Sequence, residues 1–96
     1  MTSQRNTKWT ERARKDLYSL VDYIARDNEQ AANDLLQVVE ETIYHLALSP
    51  IGRRGETAGT YEKVLSRYPS YMVIYKVSDS SLQVLRIFHT AQKSKA

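Results

Sequence analysis

The chain has 96 residues, 26% of them charged, and no cysteine, so it can build one core but not two, and it is denied disulfides, thiolate metal sites and thiol nucleophiles. No run is apolar enough to cross a membrane, and the polar start Met1-Thr2-Ser3-Gln4-Arg5-Asn6 lacks the apolar centre of a signal peptide, so a cytoplasmic protein with no membrane partner is expected. The net charge of +3 is uneven, residues 1–58 carrying eight Lys/Arg against nine Asp/Glu and residues 59–96 six against two, which puts the positive field in the C-terminal part and suits an acidic partner, nucleic acid or peptide.

Residues 5–9 are extended in propensity and read as an edge strand with Trp9 packed inward. Thr10 can cap a following helix by accepting a first-turn N–H, and Glu11 sits where the helix dipole favours an anion. Ala13, Leu17, Leu20, Val21 and Ile24 follow at helical spacing, leaving Arg12, Lys15, Asp22 and Arg26 toward water. This predicts a helix over 11–27. Asn28 can stop it and cap a second one over 29–48, whose stripe is Ala32, Leu35, Leu36, Val39, Ile43 and Leu46 and which Pro50 terminates. With so short a joint the two helices form an antiparallel hairpin that also packs on one face of a sheet. Glu29, Asp34, Glu40 and Glu41, with no Lys or Arg on the second helix, make its outer face a poor nucleic-acid surface.

Residues 49–59 contain Gly52, Gly55 and Gly59 without a hydrophobic period and read as an exposed loop. Three strand-like runs follow over 60–66, 71–77 and 82–90, close enough in sequence to be antiparallel neighbours. Residues 91–96 read as a flexible polar tail. The expected fold is α+β in a single domain over 1–96: an N-terminal edge strand, an antiparallel two-helix hairpin, then a three-stranded antiparallel meander, in the order β-α-α-β-β-β.

Each candidate functional residue has an ordinary structural reading beside it. His89 is the natural general acid or base, but strand alternation groups it with Ile87 and Leu85 and sets Arg86 on the opposite face unless the strand bends between them. Arg53 and Arg54 can grip phosphate or carboxylate or simply be the charges of a solvated loop, and Gly59 followed by Thr60-Tyr61 rules out a P-loop. Tyr61, Tyr68, Tyr71 and Tyr75, interleaved with Lys63, Arg67, Lys76 and Arg86, can stack on bases or fill the margin of a small core. Glu40 and Glu41 diverge on a helix, Glu62 and Asp79 fall on different elements, and His45 is isolated, so no catalytic carboxylate pair and no metal-ligand spacing is present. No cofactor is expected.

In this order the chain resembles the RelE/ParE superfamily of type II toxin–antitoxin toxins. The matching segments are Asp16-Leu17 with Asp22-Tyr23-Ile24-Ala25, Ala31-Ala32, Leu46 and Pro50, Gly52-Arg53 with Gly59-Thr60-Tyr61-Glu62, residues 71–77, and residues 85–92. The resemblance implies a growth-inhibiting toxin neutralised by a cognate antitoxin whose C-terminal segment wraps it. The superfamily holds two activities: inhibition of DNA gyrase, the ParE type, and cleavage of mRNA on the ribosome, the RelE type. Where cleaving members carry basic or aromatic groups, this chain aligns Glu62, Val64, Met72 and Ala91, and its long helical hairpin is similar to the ParE group. The ParE-type reading therefore leads, with target contacts expected at Arg53, Arg54, Tyr61, Lys63, Arg86 and His89 and antitoxin contacts at Leu17, Leu20, Tyr75 and Lys76. The alternative is a ribosome-dependent endonuclease using Arg67, Arg86 and His89; a nontoxic binding module is a third possibility.

Overall fold

A computed structural model describes residues 5–49, 52–55 and 57–90. In chain order the elements are β1 (Asn6–Trp9), α1 (Glu11–Ala25), α2 (Glu29–Leu48), β2 (Arg53–Arg54), β3 (Tyr61–Val64), β4 (Tyr71–Val77) and β5 (Ser81–His89). The strands form one sheet in the order β1-β5-β4-β3-β2. β3, β4 and β5 are the expected meander, but the sheet is mixed, because β1 runs parallel to β5, Trp9 lying opposite Val84.

Local chemistry sets the helix boundaries. The Thr10 hydroxyl accepts the Ala13 N–H at 3.0 Å, and the Asn28 side-chain oxygen accepts the Ala31 N–H at 3.0 Å. Each satisfies one of the orphan donors of a first helical turn. α1 ends at Ala25, short of the expected boundary at 27, in a turn where the N–H groups of Asp27 and Asn28 share the Ile24 carbonyl. The bond from the Ser49 N–H to His45 closes α2; Pro50 and the tail at 91–96 lie outside the described residues.

Both helices cover the same sheet face. The core joins Ala13 and Leu17 of α1 with Leu35, Val38, Val39, Ile43, Leu46 and Ala47 of α2 and with Val73, Tyr75, Leu82, Val84 and Ile87 of the sheet. The opposite face, by strand register, carries Lys8, Arg53, Glu62, Val64, Met72, Ile74, Lys76, Gln83, Arg86 and Phe88.

Two departures from the expected pattern shape the candidate site. The first is β2, a two-residue strand inside the predicted loop that pairs with β3. Its Arg-Arg sequence has no apolar alternation; it is recruited by partners, since Arg53 meets Glu62 at 2.8 Å and the Gly55 N–H reaches the Thr60 carbonyl. The second is an irregularity in β5, where Ile74 pairs with Arg86 but the next residue, Tyr75, pairs with Val84. Leu85 is the extra residue of a bulge, which shifts the alternation by one. As a result Leu82, Val84, Ile87 and His89 all face the helices, and Arg86 and Phe88 face away.

Candidate functional site

β1 ends at Trp9, so beyond Val84 the outer edge of β5 has no strand beside it. The start of α1 takes over that edge. The Thr10 N–H donates to the Val84 carbonyl at 3.0 Å and the Thr10 hydroxyl to the Leu85 carbonyl at 3.0 Å. One turn on, the Asp16 carboxylate accepts the Ile87 N–H at 3.0 Å and the Arg86 guanidinium at 2.8 and 3.4 Å. An edge that would otherwise invite another strand is thereby closed by side chains. Asp16, Leu20, Tyr23, Tyr71, Arg86 and His89 surround an open groove at this junction. The Arg86 guanidinium lies 5.4 Å from the centre of the Phe88 ring, and His89 meets Tyr71 edge to face at 5.3 Å.

A second cluster ties the β3–β4 turn to α2. Asp34 receives Arg67 at 2.9 Å on one oxygen and the Tyr68 hydroxyl at 2.6 Å on the other. The hydrogen bond to Asp34 is the main reason the Tyr68 hydroxyl is held above its usual pKa, with burial and the Asp34 charge adding to it. A third cluster holds the β2–β3 hairpin. The Gly52 N–H donates to the Tyr75 hydroxyl at 2.9 Å, and the Tyr61 and Tyr75 rings stack at 5.8 Å. Burial raises the Tyr75 pKa and outweighs the opposing bond from Gly52. A Cβ on Gly52 would run into the Tyr75 hydroxyl and approach the Glu62 carbonyl at 2.6 Å, so only glycine fits here without a shift.

These contacts redistribute the residues singled out in the sequence. Arg67, Arg86 and His89 do not assemble into one constellation: Arg86, held by Asp16, and His89 line the same groove, whereas Arg67 is bound to Asp34 beside the β3–β4 turn. Of the proposed target contacts, Arg53 is engaged by buried Glu62, while Arg54 is exposed and Tyr61 and Lys63 are half-buried. Of the expected antitoxin contacts, Tyr75 is 0% exposed and Leu17 9%, both packed in the core. Leu20 is half-buried and Lys76 exposed. Sequence reasoning missed Asp16 as the partner of Arg86, Asp34 as the anchor of the turn, and the juxtaposition of Lys8 with Lys76 across Gln83. The segment Asp16-Leu17 did carry a family signal, but its partner lies 70 residues away. Among the described residues no group of three or more His, Cys, Asp or Glu side chains could hold a metal ion, and no helix is long and apolar enough to cross a membrane.

The sequence pattern of the family described as the ParE toxin of the type II toxin–antitoxin system parDE matches residues 7–94. Toxin RelE2 of Caulobacter vibrioides is 32% identical over 84 residues, covering 88% of this chain and 93% of the relative. Among solved structures, a chain of the chromosomal ParDE toxin–antitoxin system from P. aeruginosa superposes with a TM-score of 0.78 at 26% identity, covering 90% of this chain and 96% of that one. A chain of the toxin–antitoxin complex RelBE2 from Mycobacterium tuberculosis gives a TM-score of 0.64 at 25% identity over 95% of this chain and 97% of that one.

Proposed function

The chain belongs to the ParE toxin family of type II toxin–antitoxin systems, and from that premise we propose that it arrests growth as a non-enzymatic inhibitor of DNA gyrase, held inactive in the cytoplasm by a cognate antitoxin. The observation that carries this reading is the make-up of the sheet face turned away from the helices. The positions at which cleaving members of the superfamily keep cations are here occupied by Glu62, Val64 and Met72. Val64 lies opposite Met72, Met72 opposite Phe88, and Glu62 is buried against Arg53. RNA cleavage by attack of the ribose 2′-hydroxyl needs a base, an acid and cations to stabilise the phosphorane. An apolar cross-strand row with a paired carboxylate supplies no stabilising cation, and of the remaining candidates Arg67 and Arg86 are ion-paired with Asp34 and Asp16 while His89 packs edge to face on Tyr71.

The antitoxin is an acidic segment that orders on binding, a mode that suits a basic partner. The neighbours from P. aeruginosa and M. tuberculosis, each described as part of a toxin–antitoxin system or complex, support such a partner. The likeness to RelE2 and RelBE2 favours a second reading, ribosome-dependent mRNA cleavage. Supercoiling of relaxed plasmid by purified gyrase separates the two: the inhibitor stops it and antitoxin restores it. Unchanged supercoiling at excess toxin, together with codon-positioned ends on translated mRNA that disappear in His89→Ala, would establish the second reading.

A further inference from the structure

The sheet face turned away from the helices divides into two unlike halves. Toward the β3–β4 turn it is apolar, with Val64, Met72, Ile74 and Phe88 adjoining across three strands. Toward the β1 end the register places Lys8 opposite Gln83 and Gln83 opposite Lys76 in a single cross-strand row, with Asn6 opposite Ser81 in the next. Every side chain in those two rows can donate a hydrogen bond, and none carries a negative charge. The four strand cations on this face are not equivalent. Arg86 is bound to Asp16 and Arg53 to Glu62, whereas Lys8 and Lys76 are exposed and form no ion pair among the described residues. Among the described residues Glu62 is the only acidic one on the strands of this face, and it is buried; Asp79 lies beyond the row in the β4–β5 turn.

We propose that the Lys8–Gln83–Lys76 row is a docking surface for the phosphodiester backbone of duplex DNA. Neighbouring strands are about 4.8 Å apart, so the two lysines leave the sheet roughly 10 Å from each other, and their flexible stems let both ammonium groups reach one phosphate run. Gln83 and Ser81 supply neutral donors between and beside them. Phosphate contacts need donors and positive charge and no apolar anchor. An amphipathic acidic peptide needs apolar pockets as well, and these two rows offer none. The inference deepens the gyrase reading, on which it rests for the kind of nucleic acid met: the toxin would touch the DNA of its target complex as well as the enzyme.

The test uses the isolated toxin and a fluorescently labelled 30-base-pair duplex, with anisotropy followed between 50 and 200 mM salt. Two phosphate contacts lower affinity about tenfold over that range and contribute about 1.8 to the log–log salt slope. The Lys8→Ala/Lys76→Ala variant loses that part of the slope and at least tenfold in affinity at 50 mM. Arg14→Ala/Lys15→Ala, which removes the same charge from the exposed side of α1, changes binding less than threefold. Equal losses in the two double variants, an unchanged salt slope, preferential binding to single-stranded RNA, or no duplex binding at 50 mM overturns the proposal. A toxin that binds duplex but leaves supercoiling intact refutes the gyrase reading and spares this one. A toxin that inhibits gyrase without binding duplex does the reverse.

Discussion

Replacing Asp16 by alanine probes the joint on which the site depends. The carboxylate is 14% exposed and makes three hydrogen bonds, two to Arg86 and one to the backbone N–H of Ile87. Removing it leaves a partly buried guanidinium and an unpaired backbone donor on the free edge of β5. Hydrogen bonds to charged groups are worth about 1.5–3 kcal/mol each. Arg86 is 39% exposed and recovers water when its partner goes, so the whole substitution should cost about 2–3 kcal/mol. In urea, with a slope of about 1.5 kcal/mol per molar for a chain of this size, the unfolding midpoint falls by roughly 1.3–2 M. Asp16→Asn keeps one oxygen for the Ile87 N–H and the Arg86 Nε but loses the charge and the bond from the Arg86 Nη2, so it should show about half the effect. A double-mutant cycle with Arg86→Leu should return a coupling of about 1 kcal/mol or more. If Asp16→Ala unfolds within about 0.5 kcal/mol of the native chain, the mean scatter of an ordinary surface substitution, the claim that this carboxylate closes the β5 edge is wrong.

The hairpin latch predicts an ordering between two variants. Tyr75→Phe removes the bond to the Gly52 N–H and should lower stability by about 1 kcal/mol, whereas Gly52→Ala forces a methyl group toward the Tyr75 hydroxyl and the Glu62 carbonyl and should lower it by about 2 kcal/mol; thermal unfolding ranks them, and the reverse order would refute the latch. Tyr68 makes a prediction for alkaline pH. Its pKa is raised above the usual 10.0 chiefly by the bond to Asp34, so the folded state holds the proton more tightly than the unfolded chain. That contribution is complete below pH 10 and is lost as pH rises through the folded pKa. The stability difference between the native chain and Tyr68→Phe, measured by urea melts at pH 9 and pH 11, should therefore shrink at the higher pH; a difference that grows would contradict the assigned cause.

The helices were legible because their signals are local: Thr10 and Asn28 cap through side chains three residues from the N–H groups they accept, and the two apolar stripes repeat at helical spacing. β4 was legible because an uninterrupted apolar run marks a central strand. The features that organise the site are non-local. The Leu85 bulge reverses the facing of everything after Val84, so simple alternation placed Leu85 with Ile87 and His89, and the structure instead joins Leu82 and Val84 to Ile87 and His89. β2 has two arginines and no period, and its pairing is decided by Glu62, nine residues on. The parallel pairing of β1 with β5 brings Lys8 beside Gln83 across most of the chain, a neighbourhood that no window of sequence contains. For Tyr75 the sequence leaves both readings open, because residue type cannot distinguish a stacking platform from a buried ring whose hydroxyl is satisfied by a backbone N–H.

Central to the proposed function is that the toxin binds gyrase and traps its cleaved DNA. The direct measurement is the yield of linear plasmid after gyrase, ATP and increasing toxin are incubated and the enzyme is then denatured and digested. Linear DNA should rise with toxin, vanish when antitoxin is added, and persist in an Arg67→Ala variant that still folds. Full supercoiling with no linear product at excess toxin would contradict it.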